Sequence, residues 1–190
     1  MFPTFINTLE FPEKKMYGNL NDSLIRKRCQ MLQKFVQETY EKKEIRISDT
    51  FKKFFYISSL QQGCQYICGG NFEEALQFLL NGLHLQQKLA LDSNEEIIAT
   101  LCNTAECYKS LENYEEAVKY CMAALELLEE SASNIYLVPV LQTLVEASAI
   151  LGQNTNEVER RLKEIVNLNQ IEVDHMASLR ELAVQRFSKK

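Results

Sequence analysis

Six cysteines (Cys29, Cys64, Cys68, Cys102, Cys107 and Cys121) and two histidines (His84 and His175) carry most of the nucleophilic and metal-binding capacity of this 190-residue sequence. Cys64 and Cys68 stand four apart and share a face if that stretch is helical. A tetrahedral metal site needs two further ligands beside them. His84 could approach in a hairpin, but it sits between Leu83 and Leu85 in a pattern that reads as packed helix. Most of the cysteines fall at helical core spacing, where a thiol serves as a small hydrophobe. Glu73-Glu74 and Glu115-Glu116 pair carboxylates at the starts of helices, where negative charge complements the helix dipole. Gly69-Gly70 reads as an inter-helix turn and lacks the pattern of a phosphate-cradling loop. These groups do not converge. The expectation is therefore no enzyme, no metal and no cofactor.

The elements that position these residues follow from composition and periodicity. Hydrophobic residues make up 46% of the chain and there are three prolines, enough apolar material for a continuous core. Charges interrupt every apolar run before it reaches the roughly 18 residues needed to cross a bilayer. The N-terminal residues lack the basic and apolar regions of a signal peptide, so reduced thiols in an intracellular compartment are expected. The formal charge of −5 is uneven. Residues 13–56 hold eleven Lys/Arg against six Asp/Glu, whereas residues 57–190 hold ten against nineteen. A basic quarter on an acidic body predicts different partners for the two parts.

Residues 1–19 read as mostly irregular. Asn21 or Asp22 offers an N-cap for a long helix whose stripe is Leu24, Ile25, Cys29, Leu32, Phe35, Val36 and Tyr40. Two hairpins follow, over 51–90 and 97–130. Gly63, Tyr66, Phe72-Glu73-Glu74-Ala75 in the first is echoed by Ala105, Tyr108, Tyr114-Glu115-Glu116-Ala117 in the second. A small residue lets two antiparallel helices approach, and the aromatics fill the space between them. The spacing resembles the tetratricopeptide (TPR) pattern, with a 42-residue period instead of about 34. A third, degenerate pair is predicted over 138–168, turning at Gly152 and carrying Ser148 in place of the tyrosine. Pro139 is admissible only in the first turn of its helix. A last apolar stripe (Met176, Leu179, Leu182, Ala183, Phe187) is expected to cap the exposed end of the stack. The fold class is all-α: TPR-like antiparallel hairpins stacked as a short superhelix.

In that register Leu60, Cys64, Ile67, Cys102, Glu106 and Lys109 line the candidate partner-binding groove. TPR co-chaperones that clamp acidic C-terminal peptides use Lys and Asn in repeat one, Asn in repeat two, and Lys and Arg in repeat three. Here Asn103 matches, but Leu60, Cys64, Pro139 and Thr143 do not. A groove so lined is not a carboxylate clamp.

The basic segment carries a second resemblance. Glu10-Phe11-Pro12-Glu13-Lys14-Lys15-Met16-Tyr17-Gly18-Asn19, then Ile25-Arg26-Lys27-Arg28 and Leu32-Gln33-Lys34-Phe35, resembles the last third of a phox-homology (PX) domain. A PX end running into TPR-like helices is similar to the sorting nexin 20/21 subfamily, in which a PX domain precedes a TPR-like PX-associated B domain. Ala75-Leu76, Leu79-Leu80, Leu85-Gln86-Gln87-Lys88-Leu89 and Leu179-Arg180-Glu181-Leu182-Ala183-Val184-Gln185 agree with it. The resemblance divides the chain into a PX remnant over 1–50, with its loop and N-terminal helix, and a PX-associated B domain over 51–190. It implies a cytoplasmic adaptor, peripheral on early endosomes, that binds membrane-receptor tails or trafficking proteins and no nucleic acid. Lys14 and Arg28 match positions that contact a 3-phosphorylated phosphoinositide headgroup. The PX β-sheet and its Arg-Arg-aromatic motif have no counterpart in the sequence, so weakened lipid binding is expected. The alternative is a generic cytosolic TPR scaffold without a membrane role.

Overall fold

A computed structural model of the chain describes residues 10–12, 21–89, 94–128, 134–169 and 177–188. Among these there are nine α-helices and no strand, so the all-α expectation holds. They are α1 (Asp22–Glu41), α2 (Lys43–Arg46), α3 (Asp49–Cys68), α4 (Phe72–Lys88), α5 (Glu95–Ser110), α6 (Tyr114–Leu128), α7 (Leu137–Ile150), α8 (Asn156–Asn169) and α9 (Leu179–Phe187). The chain forms two compact units, Met1–Lys53 and Phe54–Lys190, and the division falls within α3.

In the first unit Asn21 is the N-cap of α1. Its extended backbone lets Oδ1 accept the amide of Ser23 at 2.9 Å, satisfying one of the four unpaired donors of the first turn. The ring of Phe35 meets that of Phe11 edge-on at 5.1 Å, and Arg46 lies over the ring of Tyr40 at 5.2 Å. The expected buried stripe needs correction. Leu24, Leu32, Phe35 and Val36 are half-buried, whereas Ile25, Cys29 and Tyr40 are exposed. A stripe is buried only where a second element lies along it, and the contacts of α1 in this unit include the single-turn α2 and the Phe11 ring, which are too short to cover its length.

The second unit is built from three hairpins: α3–α4, α5–α6 and α7–α8. Each first helix ends in the same way. Gly70, Glu112 and Gly152 have φ of 77°, 58° and 68°, and the next residue donates its amide back to the carbonyl five positions earlier. Those bonds run from Asn71 to Tyr66, Asn113 to Tyr108 and Gln153 to Ser148, each at 2.9 Å. This left-handed cap satisfies carbonyls that the helix end leaves unpaired. The third hairpin therefore turns as the first two do, although its tyrosine and Glu-Glu-Ala run are gone.

Within the hairpins the 42-residue echo has a structural counterpart. Tyr66 stacks on Phe78 and Tyr108 on Tyr120, both with centroids 5.4 Å apart. Gly63 faces Leu79 and the carbonyl of Ala75. Successive hairpins join through α4–α5 and α6–α7 contacts, and the buried Tyr56 hydroxyl donates to Glu96 Oε2 at 2.6 Å between the two first helices. Pro139 lies in the first turn of α7, where its missing N–H has no helical partner to lose.

Helix α9 departs from the expectation. It does not close the end of the stack beside α8. It packs along α5, touches α7, and sends Arg180 to the carbonyl of Ile67 at the end of α3. The reason is its chemistry: Leu179, Ala183 and Phe187 form one apolar edge, and the first helices of the hairpins offer both apolar surface and polar side chains to receive it.

Candidate partner-binding surface

The candidate surface is the face made by the first helices α3, α5 and α7. α5 is covered along most of its length: every residue from Ile98 to Cys107 is buried. Such a helix is normally apolar all round. This one instead carries Thr100, Asn103, Thr104 and Glu106. Thr100 and Thr104 satisfy themselves by donating to the carbonyls of Glu96 and Thr100, each at 2.8 Å. The other two look outward to neighbours.

Asn103 is fully buried. Its amide Nδ2 donates to the carbonyl oxygen of Ala183 at 3.1 Å and lies 3.6 Å from Cys64 Sγ. Among the described residues its Oδ1 has no hydrogen-bond partner. Glu106 accepts from Thr143 Oγ1 at 3.3 Å and pairs with Lys109 at 3.1 Å; Lys109 reaches Glu146 at 3.4 Å. Burial by itself would lower the Lys109 ammonium, but the carboxylates of Glu106 and Glu146 outweigh it and hold the group above its ordinary value.

Of the six residues expected to line a groove, Leu60, Cys64, Ile67, Cys102 and Glu106 are buried and Lys109 is half-buried. Helix α9 meets this face at Asn103, through the Ala183 carbonyl, and at the Ile67 carbonyl. Its Arg180 guanidinium donates to the Ile67 carbonyl at 2.5 Å and lies 5.5 Å from the Phe72 ring centroid. The Tyr136 hydroxyl donates to the carbonyl of Leu182 at 3.3 Å, and Arg186 pairs with Glu95 at 2.8 Å. Sequence reasoning missed Arg180, Arg186, Tyr136 and Glu95 as members of this surface. One local signal was available: Ser178 and Glu181 form a reciprocal capping box, marking where α9 begins.

The four buried cysteines are not poised for chemistry. Burial, and then the charge of nearby groups, pushes Cys64, Cys107 and Cys121 up to about 12 and Cys102 well above the ordinary thiol value. His84 is exposed, and no group of metal-ligating side chains occurs among the described residues.

For the lipid positions, Lys14 lies outside the described residues. Arg28 is half-buried on α1. Near the start of that helix a surface depression is lined by Asn21, Asp22, Ser23, Arg26, Lys27 and Gln30. Among the described residues no helix is long and apolar enough to cross a membrane.

Comparison with known proteins bears on both units. Residues 1–58 match the PX domain family. Human sorting nexin-21 is 28% identical over 158 residues, covering 83% of this chain and 42% of that protein. Sorting nexin-20 of Bos taurus is 25% identical over 184 residues, covering 96% of this chain and 57% of that protein. The chain thus spans about half the length of the curated relatives it matches. No solved structure matches. With an N-terminal match to the PX family and likeness continuing through the helical hairpins, the chain is similar to sorting nexins 20 and 21 over most of its length.

Proposed function

We propose that this chain is a non-enzymatic trafficking adaptor of sorting-nexin type. Its hairpin unit, a TPR-like domain over 51–190, binds partner proteins, and its basic N-terminal part, a PX-derived segment over 1–50, brings it to endosomal membranes. The observation that carries this reading is the order of parts: a PX match at the N-terminus followed by helical hairpins, with likeness to sorting nexins running through both. Stacked hairpins supply an extended surface for peptides or helices. Membrane-receptor tails and trafficking proteins are the partner class consistent with such an adaptor.

The lipid part of the proposal is electrostatic. Lys14 and Arg28 are the headgroup candidates, since ammonium and guanidinium groups donate charge-assisted hydrogen bonds to phosphate. Near an anionic surface each cation contributes about 1 kcal/mol, an attraction that falls off within a Debye length. Co-sedimentation with liposomes containing a 3-phosphoinositide should therefore show weak binding with little headgroup selectivity. It should vanish when the salt concentration is raised. Salt-resistant, stereoselective binding abolished by Arg28→Ala would overturn the electrostatic account. No binding at low salt would remove the membrane role and leave a cytosolic scaffold.

A further inference from the structure

Helix α9 is held as a bound peptide is held. Leu179, Ala183 and Phe187, at positions i, i+4 and i+8, are all buried. Two side chains of the hairpins read its main chain: Asn103 donates to the carbonyl of Ala183, and Tyr136 to that of Leu182. Its ends are fixed by charge. Arg180 binds a carbonyl at the C-terminus of α3, where the helix dipole favours a cation, and Arg186 pairs with Glu95. At nine residues α9 is too short to be stable alone in water, so its helical state depends on this seat.

From these contacts we infer that the face of α3, α5 and α7 is a reader of amphipathic helices, occupied in cis by the chain's own last helix. The partner it takes is a helix with Leu, Arg, a small residue and Phe at positions i, i+1, i+4 and i+8, and that partner enters only by competing with α9. The small residue is required because Asn103 must reach the ligand's backbone past that side chain. The self-complex is also imperfect. Among the described residues the Oδ1 of Asn103 stays buried and unpaired, so a serine in place of the alanine has an acceptor to satisfy. This inference rests on the protein-adaptor reading and specifies its surface and partner chemistry. Because the competitor is tethered, its effective concentration is of the order of millimolar, which suppresses binding in trans without any change in the surface.

The test uses the full chain and a fluorescent peptide of residues 177–188. Ala183→Glu in the chain places a carboxylate against Asn103 and Leu179's neighbours and should release α9. Anisotropy should then show the peptide binding the variant at least about tenfold more tightly than it binds the wild-type chain. The same peptide carrying Ala183→Glu should bind neither. Adding Asn103→Ala to the released chain should weaken the wild-type peptide about five- to tenfold. Equal peptide binding by wild type and variant, or none by a folded variant, overturns the inference. If circular dichroism shows Ala183→Glu unfolded, the double variant Arg180→Ala/Arg186→Ala decides by the same criterion. Concentration-dependent dimers of the wild-type chain, dissociated by the peptide, would name a second copy as the occupant and overturn the partner assignment. Recovery of trafficking proteins by the wild-type chain, measured separately, distinguishes this from the adaptor reading: either result can fail while the other stands.

Discussion

Leu60 and Gly82 show how one residue's size is set by another's. A Cβ built on Gly82 would meet Leu60 Cδ2 at 2.3 Å, which no side chain tolerates without displacement. Forty-two residues later the corresponding positions are Cys102 and Ala124, a smaller residue opposite a larger one. The larger residue has moved from one helix toward the other, and the split of the space differs between the two hairpins. Gly82→Ala alone should cost about 1–3 kcal/mol by overpacking. Leu60→Cys alone should cost about 2–3 kcal/mol as a truncation of a fully buried side chain. The double variant should be less destabilised than the two costs added together, because each change relieves the other. Additive costs in denaturant melts would show that the pair is not coupled.

At the scale of elements, the left-handed cap is the shared part of the three hairpins, and Glu112 is the one non-glycine residue among the described ones at positive φ. An L-residue there costs about 1–2 kcal/mol, offset in part by the lower entropy of a non-glycine in the unfolded chain. Glu112→Gly should therefore stabilise the protein by about 0.5–1 kcal/mol. Gly152→Ala, at φ 68° with open space around the new methyl, should destabilise by about 1 kcal/mol through backbone strain alone. Opposite signs for these two substitutions in thermal melts are the expected result, and equal signs would rule out backbone strain as the cause. The same element logic explains α9. Its register was readable, but its seat was not, because an apolar edge of three residues fits any complementary face.

For the whole molecule, the buried thiols make stability depend on alkaline pH. Cys64, Cys107 and Cys121 ionise near 9 in the unfolded chain and at about 12 in the folded one. Their folded values are raised, so their contribution is fully present below pH 9 and is lost as pH rises toward 12. Tyr136, pushed up to about 12 by burial and then by Cys102, adds to the loss above pH 10. Each group contributes at most about 1.4 kcal/mol per pH unit in that window. Unfolding free energies measured under reducing conditions should be level from pH 7 to 8 and fall steeply beyond 9, with a shallower fall for Cys121→Ala. A level profile to pH 11 would mean that water reaches these thiols.

The sequence by itself determined the helices, their pairing and the turns. The 42-residue spacing of Gly63, Tyr66 and Ala75 with Ala105, Tyr108 and Ala117 is local information, and it places the Tyr66–Phe78 and Tyr108–Tyr120 stacks in equivalent positions. The resemblance to sorting nexins was legible for a similar reason, since it lay in the order of short motifs. Placement across long separations was decided only by the tertiary structure. Asn103 meets Ala183 eighty residues away, and Arg180 meets Ile67 across 113. Neither pairing leaves a periodic trace in the chain. Whether the stripe on α1 is covered was likewise set by its neighbours, because periodicity states which face is apolar and not what lies on it. All but Lys109 of the groove residues read from the repeat register proved buried: the register orients Leu60, Cys64 and Cys102, but only packing reveals that the chain's own last helix runs along α5, touches α7 and reaches the Ile67 carbonyl at the end of α3.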